Sequence, residues 1–294
     1  MKLSVSMIVK NEEALLGKCL ESLKGADEIV ILDTGSTDKT GKVAWQYTDK
    51  YIAGVYAWND NFAEARNKSI GYCTGDWIFV IDADEYLEED GMQKIKERIE
   101  TTKIRVIGMP SKNERNGDLH YLPRIFKRDP DILFKGAIHN HLSVLAEERL
   151  EVPIIYGYSP THKKDPDRTL RILLKEVAKN SQNPREMYYL AREYWYRKNF
   201  ITAIWWYKKY LKKSTNYAEI SDAWLMLARC YWYLHEGEKA RDYCLQAIKF
   251  NANFKEAIEF MSQISGPING KRWAEFAKTA NNAGVMFIRK VTGK

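Results

Sequence analysis

Cysteine is scarce in this 294-residue chain: Cys19, Cys73, Cys230 and Cys244 form no CxxC pair and no zinc-type spacing with histidine. That excludes a disulfide-stapled scaffold and a zinc module. It leaves four packing residues in a reducing compartment, so a cytoplasmic location is expected. Long apolar runs are missing too. None approaches the roughly 20 residues that cross a bilayer, so no integral membrane segment is expected. The opening run, Leu3–Val9, is too short for a signal h-region and reads as a buried strand. Nor does the chain contain G-x-G-x-x-G, a P-loop or a G-x-S-x-G elbow, which removes the common dinucleotide, P-loop and serine-hydrolase chemistries.

What is present is asymmetric. The net charge is +7, but residues 1–165 hold 23 Lys+Arg against 27 Asp+Glu, whereas residues 166–294 hold 23 against 12. A half at −4 beside a half at +11 suggests a polyanionic partner, nucleic acid or an anionic envelope polymer; the alternative is a lysine-rich solvated helical surface. As far as Val106, short β-rich runs at Leu3–Val9, 28–32 and 77–81 alternate with helical stretches, the pattern of a parallel sheet covered by helices. Polar or acidic residues follow each run, at the strand carboxyl ends where open α/β sheets bind ligands. Pro110, Gly117, Pro123, Pro130 and Gly136 then punctuate short apolar pieces, read as hairpins and loops that complete a pocket.

Beyond Asp165 only helical spacing remains. Leu190, Ala191, Tyr194, Ala203 and Tyr207 recur as Leu227, Ala228, Tyr231, Ala240 and Cys244, with Met261 and Ala274 in a degenerate third unit. The alanine separations of 37 and 34 lie close to the period of about 34 that tetratricopeptide repeats show, where small residues let paired helices pack closely. The expected organisation is an α/β domain over 1–165 and an all-α, tetratricopeptide-like domain over 166–294.

Two motifs carry chemistry. Asp82 and Asp84 follow the apolar run 77–81, and residues two apart at a strand end point the same way, so two carboxylates can converge. A divalent cation relieves their repulsion, and hard oxygen ligands favour Mn²⁺ or Mg²⁺, which also bind substrate phosphates. Upstream, Asp33 opens the turn DTGSTD (33–38), in which Gly35 allows a tight bend and Ser36 or Thr37 can cap the next helix.

In order and spacing, SMIVKNEE (6–13), DTGSTD (33–38), FAEARN (62–67) and GDWIFVIDAD (75–84) resemble the family 2 glycosyltransferases of the GT-A fold. The resemblance implies metal-dependent transfer of a sugar from a nucleotide-sugar donor to an acceptor hydroxyl, with inversion. By likeness, Val9 and Asn11 border the nucleobase, Asp33 accepts from the base imide, and Arg66 lies near the donor diphosphate. Asp82 would meet the ribose or the metal, and Asp84 would ligate the metal. A carboxylate facing an imide N–H suits uracil or thymine, so a UDP-sugar is the expected donor.

PRIFK (123–127) and FKGAIHNH (134–141) resemble the second half of one branch, which commonly reads Arg-Ile-Phe and then Gly-x-Ile-His-Glu. Asn140 stands where that Glu is usual, and an amide takes no proton. His139 and His141, on one face if extended, are alternatives as general base, as third metal ligand, or as pocket-wall residues. Asp118 and Glu114 are further candidates for the base, and His162 is assigned nothing. The missing Glu also keeps open a catalytically inactive binding scaffold. In the helical domain, aromatic side chains alternate with Arg192, Arg197, Lys198, Lys208, Lys209, Lys212 and Lys213, which would suit phosphate contacts and base stacking. By resemblance, two-domain relatives act on peptides, on envelope material or, among phage-encoded ones, on hydroxymethylated DNA bases. Charge favours DNA as the acceptor; peptide and glycan are the alternatives, and a homo-oligomer is left open.

Overall fold

A computed structural model describes residues 1–115, 117, 119–157 and 165–283. The chain divides into two compact units, Met1–Arg168 and the residues from Thr169 onward.

In the first unit β1 (Leu3–Val9) lies between β2 (Glu28–Asp33) and β4 (Trp77–Val80) and runs parallel to both, while β3 (Lys50–Ile52) extends the β2 side. Beyond β4 the sheet becomes mixed. β7 (Leu119–Lys127) is antiparallel to β4 and to β6 (Val106–Asn113). β10 (Glu148–Arg149) and β11 (Ile154–Tyr156) run parallel to β6, and β5 (Glu85–Leu87) is antiparallel to β11. The mostly parallel sheet expected from the sequence is thus parallel from β3 to β4, and the hairpins expected further on supply its antiparallel part, since β6 and β7 follow each other as a hairpin and must pair antiparallel. The chain steps from β1 to β2 to β3 on one side and returns as β4 on the other. The topological switch point thus falls between the carboxyl ends of β1 and β4, where such sheets bind ligands.

The two faces of β1 explain what covers them. Leu3, Val5, Met7 and Val9 enter the main core with α1 (Leu16–Ser22) and α4 (Gly91–Thr101). Ser4 and Ser6 take the other face. Ser6 donates to Ser69 of α3 (Phe62–Ile70) at 2.8 Å, and Ser69 donates to the Met7 carbonyl at 3.1 Å. With Ala63 and Ala65 also buried, small side chains bring α3 close to the sheet. Gly75 marks another close approach: a Cβ there would sit 2.6 Å from the Ser4 hydroxyl and 2.8 Å from the Lys2 carbonyl. A two-stranded hairpin, β8 (Phe134–Lys135) with β9 (His141–Leu142), completes the unit besides α2 (Thr40–Ala44).

The second unit is helical among the described residues. After α5 (Arg168–Lys179), helices pack as pairs: α6 (Pro184–Tyr196) with α7 (Phe200–Leu211), α8 (Tyr217–Tyr233) with α9 (Gly237–Phe250), and α10 (Lys255–Ile264) with α11 (Gly266–Ala277). Asn183, Asn199 and Asn216 cap three of them through their side-chain oxygens. The repeat residues Leu190, Ala191, Ala203, Tyr207, Leu227, Ala228, Ala240 and Cys244 are all buried, and so is Met261. Ala274 is exposed. Its expected place is taken by Gly270, whose Cβ would lie 2.5 Å from the Ser262 carbonyl, so α10 and α11 approach too closely for alanine there. A ladder of ion pairs links successive pairs: Arg185 to Glu219 at 2.7 Å, Arg192 to Asp222 at 3.8 Å and Arg229 to Glu256 at 2.8 Å, each carboxylate buried.

Candidate active site

The loops after β1 and β2 are stitched together. Val9 and Asp33 face each other in the register of the two strands, and the Val9 carbonyl accepts from the amide and hydroxyl of Thr34, each at 3.0 Å. Val9 is itself a core residue, so it contributes a strand end and no side chain. Asn11 adopts a left-handed backbone, φ 57°. Its amide donates to the Ser36 hydroxyl at 2.9 Å and its side-chain oxygen accepts from the Thr37 amide at 2.7 Å. Asp33 is buried. One carboxylate oxygen accepts from the amides of Gly35 and Ser36 at 2.8 and 2.7 Å, and the other from the Tyr51 hydroxyl. Gly35, at φ 112°, supplies the bend. Burial and the Asp33 bond together push the Tyr51 hydroxyl well above its ordinary pKa, so it stays a donor.

Across the switch point, Asp82 and Asp84 occupy the turn between β4 and β5. The chain is not extended there: the Glu85 amide donates to the Asp82 carbonyl at 3.0 Å, closing a turn, so the alternation of a strand does not set where the two carboxylates point. Arg66, carried by α3, donates from Nη2 to both oxygens of Asp82, at 2.7 and 3.0 Å. Its Nε and Nη1 are buried and find no hydrogen-bond partner among the described residues. A Phe134 ring lies 5.5 Å from the guanidinium carbon. Sequence reasoning missed the layer beneath. Glu85 accepts from the Asp82 amide at 2.9 Å and, on its other oxygen, from Arg124 Nη2 at 2.6 Å; both side chains are buried. Burial pushes the Glu85 carboxyl up and Arg124 pulls it down, while Asp82 and Asp84 add to the push. Burial also works against charge on Arg124, but Glu85, Asp82 and Asp84 outweigh it and hold the guanidinium charged. With two donors on its two oxygens, the ionised carboxylate is the form this geometry serves. The one signal in the sequence was position: Glu85 directly follows the acidic pair, and Arg124 sits in the PRIFK string.

The histidines lie on the β8–β9 hairpin. Asn67 of α3 clamps it, accepting from the Phe134 amide at 2.9 Å and donating to the Phe134 carbonyl at 3.0 Å, while the Ala137 carbonyl accepts from the Phe62 amide at 2.8 Å. His139 is exposed with φ 49°, so the segment is not extended and the two histidines do not share a face by strand alternation. His141 is exposed on β9, opposite Lys135. Among the described residues no three His, Cys, Asp or Glu gather as a metal cluster, so the structure does not assemble Asp82, Asp84 and His141 into one ligand set. Glu114 is exposed, accepts from the Tyr86 hydroxyl at 3.1 Å and pairs with Lys18 at 3.6 Å. Asp118 and His162 lie outside the described residues.

The comparisons with known proteins agree with this architecture. Residues 4–144 match the model of Glycosyl transferase family 2. The chain is 30% identical over 237 residues to the SPbeta prophage-derived glycosyltransferase SunS of Bacillus subtilis, covering 75% of this chain and 55% of SunS. It is 34% identical over 173 residues to a TPR repeat-containing protein of Synechococcus elongatus, covering 53% of this chain and 42% of that protein. The chain thus spans about half the length of the curated relatives it matches. The crystal structure of S. aureus TarS 1–349 in complex with UDP-GlcNAc superposes with a TM-score of 0.50 at 14% identity, over 83% of this chain and 90% of that one, which establishes a shared fold. No described helix is long and apolar enough to cross a membrane. Over residues 4–144 the chain belongs to glycosyl transferase family 2 in the GT-A fold, and the helical region that follows is tetratricopeptide-like.

Proposed function

We propose that the chain transfers a sugar from a UDP-linked donor to an acceptor hydroxyl, with inversion, at the switch point between β1 and β4. The observation that carries this reading is Arg66. A guanidinium with two buried nitrogens unpartnered among the described residues, held beside a turn bearing two carboxylates, offers charge-assisted donors for a diphosphate and hard oxygens for a cation. Asp82 and Asp84 fit Mn²⁺ or Mg²⁺ in the manner of sites that leave part of the shell to substrate phosphates and water. When bound, such an ion would offset the negative charge that develops on the leaving diphosphate. Arg66 would bind the diphosphate through those two nitrogens. Asp33 already accepts three hydrogen bonds, which leaves room for one more from a uracil imide on a carboxylate with about four lone-pair sites. The UDP-GlcNAc in S. aureus TarS, which shares the fold, supports the same donor class. The acceptor proton would go to His139 or His141, on the hairpin that α3 holds in place. For the acceptor itself the charge of the helical unit favours a polyanion such as hydroxymethylated DNA.

Calorimetry with UDP, ADP and GDP in the presence of Mn²⁺, followed by hydrolysis of UDP-sugars without acceptor, tests the reading. Preferential UDP binding and slow metal-dependent hydrolysis are expected, and both should collapse in Asp84→Ala. Replacing Arg66 by Gln should weaken UDP by about 1.5–3 kcal/mol, the value of a hydrogen bond to a charged group. Equal indifference to all three nucleotides would return the chain to the status of a binding scaffold.

A further inference from the structure

Burying an ion pair is a poor way to gain stability. The desolvation cost of two charges roughly cancels their attraction, and apolar replacements of similar volume are often neutral or better. Glu85 and Arg124 are buried to 7% and 10% side-chain exposure directly beneath the turn that bears Asp82 and Asp84, so their presence there calls for another account.

The hydrogen bonds supply it. Residue 85 grips residue 82 twice: its amide donates to the Asp82 carbonyl at 3.0 Å, and its carboxylate accepts from the Asp82 amide at 2.9 Å. The Asp84 carbonyl accepts from the Gly157 amide at 3.3 Å, so the turn is also pinned from the end of β11. Arg124 arrives from β7, which pairs with β4 at Phe79 opposite Ile125, and its Nη2 holds the far oxygen of Glu85. The chain of contacts therefore runs from the rigid middle of the sheet, through Arg124 and Glu85, to the backbone of the first acidic residue. Removing Arg124 alone would leave the Glu85 carboxylate buried without its main counter-charge, and removing Glu85 alone would do the same to Arg124.

We infer that Glu85 and Arg124 form a positioning device that fixes the Asp82–Asp84 turn in the conformation that receives the cation and the donor diphosphate. The inference rests on the donor reading above. Neither side chain touches substrate in this account; each acts through the backbone of residue 82. Groups that orient metal-binding carboxylates in this way change metal affinity or activity by about 10–100-fold when removed.

The test separates position from mere stability. Glu85→Leu combined with Arg124→Met removes both charges together, which should leave a cooperatively folding protein, but it abolishes the bond to the Asp82 amide. Mn²⁺ half-saturation, read by calorimetry in the presence of UDP, should rise by about 10-fold or more, and kcat for UDP-sugar hydrolysis should fall by a similar factor. KM measured at saturating Mn²⁺ should move little. A folded double variant with wild-type Mn²⁺ demand would overturn the inference. Should that variant lose cooperative unfolding, Glu85→Gln decides: it keeps the volume but presents one oxygen to two converging donors, so Mn²⁺ demand should again rise in folded protein. Unchanged demand, or failure of both variants to fold, assigns the pair to the fold alone. A wild-type protein that binds no UDP would instead defeat the donor reading, before any variant is compared.

Discussion

Asp33 has two duties. Its carboxylate organises the turn through the amides of Gly35 and Ser36 and anchors Tyr51, so a change there reaches the fold as well as the donor. Asp33→Ala should lower unfolding free energy by about 1–3 kcal/mol, the cost of leaving buried donors unpaired, in urea titrations without ligand. An unchanged midpoint would show that the turn stands without it. Glu28 offers a second residue-scale test. Burial pushes its carboxyl up, but Lys50, the Ser4 hydroxyl and the Thr74 amide and hydroxyl together hold it at about 2, below its ordinary value of 4.5. Since the folded value lies below the unfolded one, its stabilisation is complete above about pH 4.5 and is lost as pH falls toward 2. The stability gap between wild type and Glu28→Gln should narrow across that window; a gap constant with pH would remove Glu28 as the cause. Asp33, Arg66, Asp82 and Asp84 could be picked out as candidates because they sit in contiguous strings. Tyr51, Glu85 and Arg124 could not, because their roles arise from burial and from partners 18 and 39 residues away.

At the scale of elements, the helical pairs are joined by buried carboxylates, each answered by an arginine on the preceding repeat. Arg229→Met should cost about 3–5 kcal/mol, because it takes the guanidinium away from the buried Glu256 carboxylate. Adding Glu256→Leu should recover most of that loss, and denaturant unfolding of the two variants checks both statements. Equal stability of Arg229→Met and wild type would mean that the ladder contributes nothing. The strands β1, β2 and β4 could be read from β-branched and aromatic runs, and the helical pairs from their small residues. Hairpins beyond β4 could also be read from the turn residues, but which strands of the sheet they would join could not be, since that depends on which segments meet. Nor could the left-handed His139, which only the folded hairpin reveals, or the exchange of Ala274 for Gly270, which follows from how near α11 comes to α10.

Over the whole molecule, the excess of positive charge beyond residue 165 is less available than a count suggests. Arg185, Arg192 and Arg229 are spent on buried carboxylates, Lys208 donates to the Tyr231 hydroxyl at 2.8 Å, and Lys213 reaches back to the Ser181 carbonyl at 3.2 Å and to Gln182. Tyr188, Tyr189, Tyr207 and Tyr210 are core residues and cannot stack on bases. Trp205, Trp232 and Tyr233 keep exposed faces. If a polyanion binds here, affinity should fall log-linearly with salt, with a slope of about −0.9 per phosphate contact on duplex DNA. Lys212→Glu, at an exposed position, should weaken binding more than Lys213→Glu. Gel shifts at several salt concentrations settle this, and binding indifferent to salt would favour a peptide or neutral glycan acceptor. The four cysteines have a practical consequence at the same scale. All are buried, burial pushes Cys73, Cys230 and Cys244 up to about 12, and burial and the nearby carboxylates drive Cys19 well above its ordinary value. The native protein therefore presents no thiolate to maleimide dyes, and a single cysteine placed at Leu145, 87% exposed, would be the one position to take a fluorophore.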